Sequence, residues 1–201
     1  GYTQMARPQK YNQPRVLNAA SELFKIQGYR ATSIEQLLDV TELSRSSLYH
    51  GFGNKEALFL EVLDFYEEFV LGARIKKYLH QADPITGMTE FFTSCFTDLP
   101  RGKKGMACLI VNSVTEMAIH NEAIRKRLQR SEEKLRFNFV KCIEKAKEVG
   151  SLAEHIPSDI MANQMLITLN GLLVASKVVK NNDKMIEASQ QSLSFILGTR
   201  A

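Results

Sequence analysis

The chain has 201 residues, 44% hydrophobic and 24% charged, with few prolines, so it can bury a core as one large domain or two small ones and wholesale disorder is excluded. The longest apolar stretch, residues 165–179, is broken by Asn170, Ser176 and Lys177, which excludes a membrane span, and the polar N-terminus carries no secretory signal. Of the net charge of +4, +3 falls within residues 1–55, where Arg7, Lys10, Arg15, Lys25, Arg30, Arg45 and Lys55 outnumber Glu22, Glu35, Asp39 and Glu42 by seven to four; such a module suits a polyanion partner or a plain solvated surface.

Apolar residues recur at steps of three and four, which predicts an all-α protein of about nine helices. The first covers about residues 13–27, with Pro14 in its first turn and Gly28 as its stop. Ser33 opens the second, and Gln36 three residues on completes a capping box. Thr41, Glu42 and Leu43 form a turn. Ser44 then caps a third helix over residues 45–50, whose Leu48 faces inward while Arg45, Ser46, Ser47, Tyr49 and His50 face out. Gly51-Phe52-Gly53 interrupts the pattern, and Asn54 caps a fourth helix reaching about Leu79, with Phe59, Val62, Leu63, Tyr66, Phe69 and Val70 as its apolar stripe.

Later helices are expected near residues 85–97, 106–119, 121–149, 158–180 and 183–197, with a loop at 99–105. The helix near 158–180 is apolar on most sides, which predicts burial on two fronts: against its own core and against a second copy. The last two helices, about 158–197, would then form a four-helix bundle in a homodimer.

Two short helices and a tight turn, with a polar outward face, form a unit that can enter the major groove of double-stranded DNA. Arg45 can bond guanine or phosphate. The short hydroxyls of Ser44, Ser46 and Ser47 allow close backbone approach, and Tyr49 and His50 reach phosphates or a thymine methyl. Lys55 stands in the first turn of a helix, where free N–H groups and the dipole already favour a phosphate. Most such contacts position the protein rather than specify sequence.

Residues 13–60 resemble the N-terminal domain of the tetracycline-repressor family of bacterial transcription regulators. The likeness rests on Ala20, Leu23, Phe24, Gly28, Tyr29, Thr32-Ser33-Ile34, Leu43-Ser44, Ser47-Leu48-Tyr49-His50, Phe52, Asn54-Lys55-Glu56 and Leu58. It implies a helix-turn-helix DNA-binding domain over residues 8–55 and a ligand-binding and dimerisation domain over 56–201. It also adds Thr32 and Ser33 to the DNA-contacting set. The implied function is that of a cytoplasmic homodimeric repressor, released from a near-palindromic operator by a small-molecule inducer that the sequence does not identify. Two positions depart from the family pattern: Glu42 and Ser46 stand where members often have Gly.

For the sensor, Tyr66, Phe69, Phe92, Phe96, Met106 and Met165 are candidate pocket walls, with Asn112, Thr115, Glu116, Gln164 and Asn170 as polar groups; the same aromatic and Met positions also read as ordinary core. Cys108 follows Lys103 and Lys104 near a helix start, so it is either a reactive thiol or a small core residue. Cys95, Cys108 and Cys142 are odd in number and far apart, which suits free thiols in a reducing compartment. No metal or cofactor is expected. The scattered histidines (His50, His80, His120, His155) and the absence of a Ser-His-Asp order or a phosphate-binding Gly loop argue against the runner-up reading, an enzyme using the C-terminal pocket.

Overall fold

In a computed structural model, described over residues 11–97 and 108–199, helices account for the secondary structure and no strand occurs among the described residues. α1 spans Gln13–Gln27. Asn12 caps it by accepting from the Arg15 N–H at 3.1 Å, and Gly28, at φ 82°, ends it. α2 spans Ile34–Thr41 behind the reciprocal cap, in which Ser33 Oγ accepts from Gln36 N at 3.1 Å and Gln36 Oε1 from Ser33 N at 3.0 Å.

α3 spans Arg45–Phe52, two residues beyond the expected end. It continues because Phe52 is buried and because Gly51 leaves room for Tyr11, whose hydroxyl would lie 2.2 Å from a Cβ there. Gly53, at φ 100°, supplies the actual stop.

α4 begins at Lys55 under the cap of Asn54 and runs as a regular helix through Phe65. It then continues without a break through wide turns over Tyr66–Leu71, a short α segment over Gly72–Arg74 and further wide turns over Ile75–Leu79. The Gly72 N–H reaches back five residues to Glu67 O, the mark of a π turn. This geometry rotates position i+3 off the face that i+4 and i+5 share. Tyr66, Val70 and Leu71 therefore point inward while Phe69 is 57% exposed, against the sequence expectation of an unbroken stripe.

Behind this helix lie α5 (Pro84–Thr97), α6 (Leu109–Met117), α7 (Glu122–Glu148), α8 (Ser158–Val179) and α9 (Asn182–Leu197). The expected loop at 99–105 and the first residues of the expected 106–119 helix lie outside the described residues; Cys108 takes the cap position before α6. α9 packs on α5 and α8, and α7 packs on α8, α5 and α4. One continuous core joins the two ends of the molecule: Phe24 meets Phe59 edge-on at 4.8 Å, and Phe139 meets Phe91 at 5.6 Å.

Candidate nucleic-acid interface and cavity

The outward face of α3 carries Arg45, Ser46, Tyr49 and His50, all exposed. Their neighbours are already committed. Ser44 Oγ accepts from Ser47 N at 3.1 Å and bonds the hydroxyls of Ser46 and Ser47. Ser33 is held in its capping box, and Thr32 is buried with its hydroxyl on Gly28 O at 2.6 Å. These residues shape the unit and leave few side-chain groups spare. Arg45 pairs with Glu35 of α2, a contact the sequence reading missed because helix periodicity does not show which exposed groups meet across a turn.

The turn before α3 contains Glu42 in the left-handed region, at φ 58° and ψ 27°. Holding a non-Gly residue there costs about 1 kcal/mol. Arg15 of α1 offsets part of this, reaching Glu42 Oε2 at 3.2 Å and Thr41 O at 2.9 Å, and so ties the turn to the first helix.

Lys55, at the start of α4, is half-buried, with its Nζ 4.3 Å from the centre of the Tyr29 ring. Burial lowers its pKa and the nearby Glu116 carboxylate opposes that. Glu116 itself, at the end of α6, accepts from the backbone N–H of Tyr29 at 2.9 Å and of Arg30 at 2.8 Å. These amides follow the end of α1, where no helical carbonyl serves them, so a charged acceptor is well matched. Gly28 permits the approach: a Cβ there would lie 2.6 Å from Glu116 Oε2. On the same helix, Asn112 Nδ2 donates to Lys25 O at 3.4 Å. Both residues had been expected at a ligand pocket; instead they join α6 to the N-terminal unit, because α6 lies against α1.

A cavity of about 230 Å³ opens between α1, α4, α5, α6, α7 and α8. Tyr66, Val70, Leu71 and Arg74 of α4 form one wall, and Leu135, Leu169 and Leu173 form another. Tyr66 donates to Cys108 Sγ at 3.4 Å, and its pKa is well above the ordinary tyrosine value, first from burial and then from Cys108. Glu132 and Asn170 meet on the far wall at 2.9 Å. Burial raises the Glu132 pKa, only partly offset by Asn170.

Of the residues expected around a pocket, Tyr66 and Asn170 line this cavity, and so does Cys108, which had been weighed as a reactive thiol or a small core residue. Phe92, Phe96 and Met165 are fully buried in the core and outside its lining, Phe69 is exposed, and Met106 lies outside the described residues. Glu132 had a legible signal that was passed over: it stands four residues after Leu128, on the apolar stripe of α7. Among the described residues no group of three or more His, Cys, Asp or Glu could hold a metal ion, and no helix is long and apolar enough to cross a membrane.

Comparison with known proteins gives two family matches. Residues 16–62 match bacterial regulatory proteins of the tetR family, and residues 88–192 match the tetracyclin repressor-like C-terminal domain. The uncharacterized HTH-type transcriptional regulator YezE of Bacillus subtilis is 26% identical over 96% of this chain and 100% of its own length. The HTH-type transcriptional repressor DhaR of a Mycobacterium species is 24% identical over 85% of this chain and 84% of its own. Among solved structures, the regulator CifR in complex with 26-base-pair operator DNA shares the fold at a TM-score of 0.81, with 23% identity over 93% of this chain and 98% of that one.

Proposed function

Because the chain belongs to the tetracycline-repressor family of bacterial regulatory proteins and is a DNA-binding transcriptional regulator, we propose that it acts as a homodimeric repressor released from its operator when a small molecule fills the cavity. One observation carries this reading: α6 touches both ends of the device. Ile110 and Val111, in its first turn, line the cavity, while Glu116, in its last, holds the Tyr29 and Arg30 amides. A ligand that shifts α6 must move or release the segment between α1 and α2. The relative DhaR bears the name repressor, which favours repression over activation.

In this reading residues 8–55 bind DNA and residues 56–201 sense and dimerise. Arg45, Ser46, Tyr49 and His50 face the groove, Lys55 meets a phosphate, and the capping hydroxyls of Ser33, Ser44 and Ser47 set the angle of entry. The dimer forms through α8 and α9. Ile160, Ile167, Val174 and Val178 make an outward apolar row along α8, and Phe195 on α9 is 88% exposed. Gly171, on the same helix, has open space around its Cβ position. Two such pairs of helices bury these faces in a four-helix bundle.

The test is selection of sites from random duplex DNA by the full-length protein, followed by gel shifts at several salt concentrations. A near-palindrome with half-sites about one DNA turn (roughly 34–36 Å) apart is expected, with affinity falling steeply as salt rises. Recovery of no preferred site at low salt would sink the proposal.

A thiol-based version of the same switch is favoured by a separate observation: Cys108 and Cys95 both line the cavity, and Cys108 directly precedes α6. Comparing operator release by an electrophile in wild type and Cys108→Ser decides it; equal release excludes the thiol.

A further inference from the structure

We propose that the cavity takes a small apolar molecule carrying one protonated amine, with its ammonium group at the carboxylate of Glu132. The inference rests on the cavity being the inducer site and adds the chemical class of the inducer.

The polar groups of the wall are mostly satisfied within the protein. Glu22 and Lys25 pair with each other at 2.8 Å. The Arg74 guanidinium bonds Ser94 and Cys95 and lies over the Phe91 ring. Ser131 donates to Glu67 at 2.7 Å, and Tyr66 donates to Cys108. Glu132 differs from all of these. Its Oε2 accepts from Asn170, while its Oε1 receives no hydrogen bond from the described residues. The charged neighbour that bears on it is Glu133, of like sign, and no Lys or Arg among the described residues forms an ion pair with it.

A largely buried carboxylate that no described Lys or Arg pairs with loses hydration and gains little in return. An ammonium group supplies the missing charge and N–H donors together. The rest of the lining suits an apolar body: Val70, Leu71, Leu135, Leu169 and Leu173 are aliphatic, and Phe91 adds an aromatic ring. An anionic ligand would meet Glu132 with like charge, and Arg74 is already held by Ser94 and Cys95. The volume of about 230 Å³ restricts the occupant to a small molecule.

Phenylbutylamine, phenylbutanol and phenylbutyrate share one apolar body and differ in the head group. Their binding to the full-length protein is measured by calorimetry at neutral pH, in wild type and in Glu132→Gln. The amine is expected to bind wild type roughly tenfold or more tightly than the alcohol, with the acid weakest. Glu132→Gln should bring the amine down to the level of the alcohol and leave the alcohol unchanged. An amine that binds wild type no better than the alcohol, absence of binding included, overturns the proposal, as does a preference that survives in Glu132→Gln. The comparison of head groups in wild type stands even if the variant fails to fold.

Operator release is read separately on the selected DNA site. An amine that binds through Glu132 yet leaves the protein on DNA supports the ligand class and removes the inducer reading. An alcohol that releases DNA as well as the amine supports the inducer reading and removes the ligand class.

Discussion

Glu116 and Tyr29 stand 87 positions apart in the chain and 2.9 Å apart in space, the Glu116 carboxylate accepting the Tyr29 backbone N–H and, through its other oxygen, that of Arg30. Both amides follow the positive-φ residue Gly28 that ends α1. The contact fixes the segment leading into the helix-turn-helix to the last turn of α6, whose first turn lines the cavity. Removing it tests whether the two ends of the protein are mechanically joined. Glu116→Ala is expected to lower stability by about 1.5–3 kcal/mol, the usual worth of hydrogen bonds to a charged group, and to speed hydrogen exchange at Tyr29 and Arg30. Urea unfolding and amide exchange measure the two effects. Unchanged exchange at both amides would show that the contact does not hold the segment in solution.

Gly28→Ala should disturb the same contact from the other side. The new methyl would lie 2.6 Å from Glu116 Oε2, on a backbone at φ 82°. A backbone at φ 82° and ψ 170° is essentially glycine-only and by itself costs an alanine on the order of 1–3 kcal/mol. In a double-mutant cycle the penalty of Gly28→Ala should shrink in a Glu116→Ala background, since the clash is gone and only the backbone strain is left. Equal penalties in both backgrounds would place all the cost in the backbone.

Glu42 is expected to carry opposed effects. Glu42→Gly relieves the left-handed strain but gives up the exposed pair with Arg15, worth at most about 1 kcal/mol. Stability should change by no more than about 1 kcal/mol in either direction. Arg15→Ala loses both the ion pair and the bond to Thr41 O, and should destabilise more than Glu42→Gly does. Chemical unfolding of both variants checks the order.

Glu132 gives a pH dependence of known sign. Burial raises its folded pKa above the ordinary glutamate value, so the folded chain binds this proton more tightly than the unfolded chain. The associated stability is present at low pH and is lost as pH rises from the unfolded value through the raised folded one. Glu132→Gln should therefore be more stable than wild type at neutral pH, with the difference shrinking toward pH of about 4, where a free glutamate is itself protonated. Urea midpoints across that range measure it; a gap that does not narrow at low pH would rule out ionisation as its source.

Arg45 pairs with Glu35 on the face proposed to meet DNA. Arg45→Ala should weaken operator binding, by about 1–3 kcal/mol if the guanidinium reads a base and with a salt slope lower by about one if it meets a phosphate. Glu35→Gln, which frees Arg45 and removes a negative charge from the same surface, should tighten binding. Gel shifts over a salt series separate these outcomes, and an Arg45→Ala protein of unaltered affinity would take Arg45 out of the interface.

Much of the fold was legible because its signals are short-ranged. The capping pair Ser33 and Gln36, the cap Asn54 and the stop at Gly28 act within a few residues, so they can be read directly from the chain. The end of α3 was missed because Gly51 looked like a breaker. It stays helical because Tyr11, forty positions away, fills the space that a side chain would occupy. Phe69 was misread for a related reason. A period of 3.6 puts it beside Tyr66, but the wide turns of α4 carry it to the surface.

The candidate site divides along the same line. Helix α3 is defined by neighbouring residues, and its outward set could be named from spacing alone. The cavity and its coupling are made by pairs distant in sequence: Glu116 with Tyr29, Tyr66 with Cys108, Glu132 with Asn170 and Arg15 with Glu42. Periodicity indicates which face of a helix turns inward, but not which helix it will meet. The sequence by itself determined an all-helical chain with two short capped helices joined by a tight turn, because caps and apolar spacing are local. Only the tertiary structure decided that Glu116 holds the Tyr29 and Arg30 amides and that Glu132 lines the cavity with no ion pair to a described Lys or Arg, because both follow from how distant helices pack.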